Sequence, residues 1–492
     1  MTSMEQLQRL TDYSVDMDAE NIMDVRTEKI DPIVSSAYRY VFRFDSAAYL
    51  DKNTMLMFKC KAKDGTVSGD NVRLNCFNGG LGAIKDVELQ IGDFQVQKIH
   101  NVNEWSTLNH LYSLTPEVQN KKLTPYIQNC LKFNVRNSQG TAESENVGTI
   151  QTDNTKSGIN YGQADDRTGA AVNNFKITND ADGNQLIGIP LGMLLPMLNT
   201  RDLPLFLFTA YKIHLTIEFN PNSSEFANKI GAPSANLACA DGDVLFDKVN
   251  LLVDYLVFPS KVQESVREKT QSQGGYAMDF INVENIQKVI PTATANVQQS
   301  NEMRINVVNQ EVHYVQMTKQ FSTYADNNNK VTLGQRCDSV SIEEYQVNVN
   351  GVDMYNFGFI FNPVEQYNQL NYVLGRDLQA IAPFYVADIN IESSAISPPD
   401  MGILGKYKPF GLDLRNGEPV IRGGGRVIGE YPIRWIYRRT PHNQVNSTGA
   451  DPYQIGQQDV HGLNVNFFVG ATRIVNVRAL PSGGMSVAVS DL

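Results

Sequence analysis

Six histidines, His100, His110, His214, His313, His442 and His461, are the residues of this 492-residue chain best suited to metal binding or proton transfer. None stands in an H-x-H, H-x-x-H or H-E-x-x-H arrangement, the spacings that bring two imidazoles to one ion. The five cysteines, Cys60, Cys76, Cys130, Cys239 and Cys337, are scattered, odd in number and without a C-x-x-C pair. That argues against a zinc knuckle or a disulfide framework and fits a reducing compartment. "GGMSVA" at 483–488 lacks the closing glycine of a nucleophile elbow. "GILGKYK" at 402–408 has too few residues between its glycines for a phosphate loop. "NDADGNQLIG" at 179–188 opens like a calcium loop but has no closing glutamate. No catalytic, metal or cofactor-binding residue is assigned, and the chain is expected to be neither an enzyme nor cofactor-dependent. Scattered carboxylates that pair only in space, as in glycosidases, stay open.

One cluster does offer chemistry. "VIRGGGRVIGEYPIRWIYRR" at 420–439 carries five arginines against one acid. If 431–439 is a strand, Ile433, Trp435 and Tyr437 share one face while Arg434 and Arg438 share the other. Such a surface can hold phosphates and stack bases. It can equally be an aromatic core face backed by arginines that pair with acids of another subunit. The net charge of −11 favours the second use, and residues 1–31 alone, with eight acids and three bases, supply −5 of it. Phosphate binding needs Lys and Arg to displace counterions, so no sequence-specific nucleic-acid contact is expected.

The elements that carry these residues are mostly strands. Segments 38–44, 54–62, 207–219, 244–258, 302–317, 431–439 and 463–479 are rich in β-branched and aromatic residues, and several alternate with period two. Helical signals are short, at 103–112, 364–374 and 191–198. Apolar residues at 42% and charged residues at 19% leave ample material for a core, and the length suits two or three domains. The N-terminus has no signal-peptide pattern. The longest apolar run, "LIGIPLGMLLPML" at 186–198, holds two prolines and is too short to span a bilayer. Residues 135–185 are almost bare of large apolar side chains and read as a long surface excursion. A second irregular region, 391–430, is rich in Pro and Gly. The polar stretch "PSKVQESVREKTQSQGG" at 259–275 reads as a linker between two halves.

Those halves repeat a pattern. Val87/Leu89/Ile91 alternate into the turn Gly92-Asp93, and Tyr345/Val347/Val349 alternate into the turn Asn350-Gly351, 258 residues later. After each hairpin comes a helix-like stretch, Glu104-Trp105-x-x-Leu108-Asn109 in one half and Gln366-Tyr367-x-x-Leu370-Asn371 in the other. Hairpin, helix and Leu-Asn pair recur in one order, which favours duplication over coincidence.

Two tandem β-sandwiches with this repeat resemble the double jelly-roll major capsid proteins of the adenovirus, PRD1 and polinton-like virus lineage, which includes virophages and the large nucleocytoplasmic DNA viruses. "IDPIVSSAYRYVFRF" resembles the start of the first jelly roll, and "IPLGMLLPMLNTRDLPLFLFTAYKIHLTIEFN" its later strands. "VNLLVDYLVFPSKVQESVREK" is similar to the exit from that roll, and "YQVNVNGVDMYN" to the hairpin of the second. The resemblance runs from about residue 30 to the end, and leans towards the polinton-like viruses and virophages. It implies an all-β fold of two tandem eight-stranded jelly rolls with short helices in loops. The expected division is an N-terminal arm at 1–31, a first jelly roll at 32–258 with its surface loop at 135–185, a linker at 259–275 and a second jelly roll at 276–492. It further implies a homotrimer of near-hexagonal outline that tiles an icosahedral dsDNA virus shell, in contact with neighbouring capsomers, penton and minor capsid proteins. The expected place is the virion, assembled inside the host cell. The arm, with Met4, Leu7 and Leu10 at helical spacing, is the segment expected to meet a minor capsid protein or an inner membrane. A two-domain β-sandwich hydrolase or carbohydrate-binding protein is the alternative.

Overall fold

In the strand Met55–Ala62, Leu56, Phe58, Cys60 and Ala62 are buried while Met55, Met57, Lys59 and Lys61 are half-buried. That is the period of a strand with one face on a core. The computed structural model describes residues 24–44, 49–50, 54–63, 72–74, 79–106, 108–109, 176–177, 186–200, 203–208, 210–229, 241–272, 275–292, 294, 297–321, 342–355, 373, 410–416, 421–439, 463–479 and 485–491.

The first half contributes β1 (Asp24–Ile30), β2 (Arg39–Phe44), β3 (Met55–Ala62), β4 (Ile84–Ile91), β5 (Phe94–Ile99), β6 (Leu186–Pro190), β7 (Ile213–Phe219) and β8 (Val244–Val257). They pair antiparallel as two sheets, β1-β8-β3-β6 and β2-β7-β4-β5, with two-residue strands added at the margins. Helix α1 (Val102–Ser106) follows β5, and α2 (Pro196–Thr200) follows β6. The second half contributes β9 (Tyr276–Ile290), β10 (Gln299–Ile305), β11 (Glu311–Phe321), β12 (Ile342–Val349), β13 (Val352–Asp353), β14 (Phe410–Asp413), β15 (Ile433–Arg439) and β16 (Leu463–Ala479). Their sheets run β9-β16-β11-β14 and β10-β15-β12-β13. Each strand of the first set therefore has its counterpart eight places later, with the same neighbours. Two four-stranded sheets face to face in this order are a jelly roll, and the chain is an all-β double jelly roll. A further strand, β17 (Met485–Asp491), extends the second roll along Arg473–Ala479.

The two matching hairpins turn by different means. Asn350 and Gly351 both have positive φ, 53° and 81°, as a two-residue turn closed by Val349 opposite Val352 requires. In the first roll Gly92 alone takes positive φ, 61°, and Ile91 stands opposite Phe94.

Several sequence expectations are corrected. Residues 24–30, assigned to the arm, form β1, because they run antiparallel to β8 from Asp24 opposite Val257 to Ile30 opposite Leu251. The stretch read as a linker does connect the two rolls, and it does so as a docked helix, α3 (Ser260–Ser272), whose Val266 packs on the first core and whose Arg267 donates to Phe206 O at 3.1 Å. The strand expected over 207–219 starts only at Ile213; Leu205–Phe208 is a 3-10 turn with all four side chains buried, which a strand with one wet face would not do. The strand expected over 302–317 is two, β10 and β11, separated by a turn in which Asn309 has φ 60°. Residues 1–23, most of 135–185 and nearly all of 364–374 lie outside the described residues.

Two apolar cores result. One lies inside the second roll around Trp435, Tyr345, Phe410 and Phe467. The other fills the first roll and continues without a break into Met278, Phe280, Val283, Phe468, Val475, Val477 and Val487 of the second. One core thus spans both halves.

Candidate functional site

The continuity of that core locates a buried contact between the halves, and polar groups frame it. Glu104 on α1, 7% exposed, reaches across the seam. Its Oε2 accepts a hydrogen bond from the Thr318 hydroxyl on β11 at 2.5 Å, and Asn466 Nδ2 on β16 donates to both carboxylate oxygens at 3.0 and 3.2 Å. One turn further on, Asn109 and Gln316 exchange amide hydrogen bonds, each 3.0 Å. Gln97 on β5 donates to Ile281 O at 3.3 Å, and Asn285 on β9 donates to His100 O at 3.1 Å. Buried polar groups are tolerated when they are paired in this way.

Tyr314 lies on the same outer face of the second roll. Its ring occupies the space where a side chain at position 470 would stand: a Cβ on Gly470 would lie 2.5 Å from two ring carbons. Burial pushes the Tyr314 phenol up to about 12, with the Trp105 side chain and then Arg415 acting the other way. At the edge of the seam Arg473 pairs with Asp491 at 2.6 Å and with Glu284 at 3.6 Å, and donates to Val96 O of the first roll at 3.3 Å. Burial raises the Glu284 carboxyl, opposed mainly by Arg473 and reinforced by Asp491.

The positions of the sequence candidates form no catalytic constellation among the described residues. His100 Nδ1 lies 2.9 Å from Asp86. His214 is half-buried on β7, where burial lowers its pKa, followed by Arg43 and Lys212. His313 is buried, and its Nε2 lies 2.7 Å from Thr472 Oγ1, whose proton goes to Ile421 O at 3.1 Å. Burial lowers the pKa of His313, while Glu311 opposes it. Burial also pushes the Cys60 thiol up. Residues 485–488 belong to a strand, β17, and residues 402–408 and the stretch 179–185 fall outside the described residues. Among the described residues no three His, Cys, Asp or Glu side chains gather as a metal site, and no helix is long and apolar enough to cross a membrane.

The arginine cluster is divided: Arg434, Arg438 and Arg439 belong to β15, whereas Arg426 stands opposite Val312 of β11 in the other sheet. On β15, Ile433, Trp435 and Tyr437 are buried at 0%, 1% and 1% exposure. Arg434 on the opposite face lies 3.6 Å from Glu302 of the neighbouring strand, and Arg304 shares that carboxylate at 3.0 Å. Arg434 thus pairs within its own chain.

The seam residues were missed as a site. Glu104 and Asn109 were visible only as half of a repeat. Gln316 and Thr318 lie in "EVHYVQMT", whose two faces are both buried, and no pattern in the sequence marked them.

No protein-family model matches the sequence, and no curated protein matches it. Solved structures do match its fold. PBCV-1 VP54, fitted into a cryo-EM reconstruction of the virophage Sputnik, superposes with a TM-score of 0.57 at 10% identity, over 96% of this chain and 98% of that one. The quasi-atomic model of the PBCV-1 virus capsid gives 0.56 at 10% identity, over 96% and 98%. The cryo-EM structure of the Sputnik virophage gives 0.53 at 11% identity, over 95% and 88%. At such identities the likeness is one of fold, and the resemblance to double jelly-roll capsid proteins drawn from the sequence is met there.

Proposed function

We propose that this chain is a major capsid protein, a structural and non-catalytic subunit of an icosahedral dsDNA virus shell. The observation that carries the proposal is the duplication: two eight-stranded jelly rolls with one strand order, welded by a common core. Three such chains present six similar lobes, so a three-fold object acquires a near-hexagonal outline and can tile a flat facet. The likeness to PBCV-1 VP54 over 96% of the chain supports this reading. Its partners would then be two further copies, neighbouring capsomers, and penton and minor capsid proteins, in a virion assembled inside the host cell. Residues 1–23, ahead of β1, would serve as the assembly arm. The acidic balance and the Arg434–Glu302 pair favour protein contacts over nucleic acid for the 420–439 cluster.

Light scattering and negative-stain images of the purified protein test the proposal. The expected particle has three times the 54.8 kDa chain mass and a near-hexagonal outline. A stable monomer in dilute buffer would remove the basis for a capsomer.

A further inference from the structure

The two jelly rolls match strand for strand, and the match brings out one place where they differ. In the first roll the end of β8, on the side away from β1, is flanked by Tyr49–Leu50, which pairs with Tyr255 and Leu256 and then with Leu203–Pro204. In the second roll the same place beside β16, on the side away from β9, is taken by β17. There the sheet stops: among the described residues β17 pairs with β16 alone. Its far edge is also unguarded. Residues 485–490, "MSVAVS", hold no charge and no proline, the devices that keep an open strand edge from pairing with another segment. One row of β17 continues the shared core. Val487 stands beside Val477 and is 4% exposed, and Val489 stands beside Val475 and packs on that core. The other row, Ser486, Ala488 and Ser490, carries no acid.

We propose that residues 13–19 of this chain add to the free edge of β17 as a further strand. The inference rests on the reading of residues 1–23 as an arm and names the place where the arm docks. Three observations select this occupant. First, "YSVDMDA" alternates strictly, with Tyr13, Val15, Met17 and Ala19 on one side and Ser14, Asp16 and Asp18 on the other. Added to β17, it lays its apolar side along the row of Val487 and Val489 and its aspartates along the row of serines and alanine. Backbone hydrogen bonds then supply affinity, and the alternate side chains supply specificity. Second, the seven residues of the segment equal the length of β17. Third, the segment is delivered to the right end of the molecule. β1 begins at Asp24, opposite Val257, and from there the chain passes through α3 to Tyr276, which stands opposite Val477 and so level with Val487. Only residues 20–23 separate the segment from β1.

Hydrogen exchange on the full chain, read at residues 485–491, tests the pairing. The comparison is a variant carrying Val15→Pro and Met17→Pro, whose segment cannot enter a ladder. Both changes fall ahead of β1, so the melting curve should match that of the unaltered chain. In the unaltered chain the β17 amides directed away from β16 should exchange at least about tenfold more slowly than in the variant. A synthetic peptide of residues 11–21 added to the variant should restore that protection, and the same peptide with Val15→Asp and Met17→Asp should not. Equal exchange in the two chains would overturn the inference, whether the edge is open in both or closed in both by another segment. Particle yield separates this result from the arm reading. Lost protection with normal yield would keep the docking and end the arm's role in assembly. Unchanged protection with lost yield would keep the arm and end the docking.

Discussion

Glu104 holds its place in the seam by accepting hydrogen bonds from a hydroxyl and an amide, Thr318 and Asn466, that belong to the other roll. A carboxylate so far from water is stable only while those donors face it. Replacing it with alanine leaves both donors buried without their acceptor. The expected cost for Glu104→Ala is about 2–4 kcal/mol, seen as a lower urea midpoint, whereas Glu104→Gln keeps one acceptor oxygen and should lose less than half as much. Equal losses for the two variants would show that the side chain acts by volume. Arg434 behaves differently. It shares Glu302 with Arg304 in an exposed setting, and exposed pairs of this kind contribute little to stability. The alternation in "IRWIYRR" was enough to put the aromatics on one face and Arg434 and Arg438 on the other, because a strand has period two; that the aromatic face fills the core came from the structure. The same residues said nothing of Glu302, which lies more than a hundred positions upstream.

At the scale of elements, β11 and β16 show what limits sequence reasoning about strands. A strand with one dry face alternates, as β3 does, and its burial can be read from the chain. A strand dry on both faces loses that signature, and "EVHYVQMT" gives no hint of which side meets a core and which meets another domain. Gly470 marks the crossing point. Its missing side chain leaves room for the Tyr314 ring, so the close fit of β11, β16 and the first roll depends on a hydrogen atom at that position. Gly470→Ala should displace Tyr314 and cost about 1–3 kcal/mol by overpacking, measured as a fall in thermal midpoint. An unchanged midpoint would mean the ring can turn away freely. The helix α3 is a related case. Its sequence is polar enough to pass for a linker, and only the docking of Val266 and the hold of Arg267 on Phe206 O fix it.

For the whole molecule, the shared core predicts joint behaviour. Met278, Phe280, Phe468, Val475 and Val477 complete the first roll's interior although they belong to the second. Each roll is therefore unable to satisfy its apolar surface alone. Thermal unfolding of the isolated chain should give a single calorimetric transition, with calorimetric and van't Hoff enthalpies in agreement, and residues 276–492 expressed alone should aggregate. Two separated transitions would show that the seam is an accessory contact.

The sequence by itself determined the local events: the alternating strands, the Asn350-Gly351 turn, the single face shared by the aromatics of β15, and the echo between residues 87–110 and 345–372. These depend on neighbours within a few positions, where period and φ preference leave little choice. The duplication was legible for the same reason, because both copies obey the same local rules. Only the tertiary structure decided that β1 begins at Asp24, that the supposed linker is a docked helix, and that one core crosses from roll to roll. Each of these depends on pairing between residues far apart in the chain, as Asp24 with Val257 or Glu104 with Asn466. Such contacts are set by how whole sheets pack, and no window of neighbouring residues contains them.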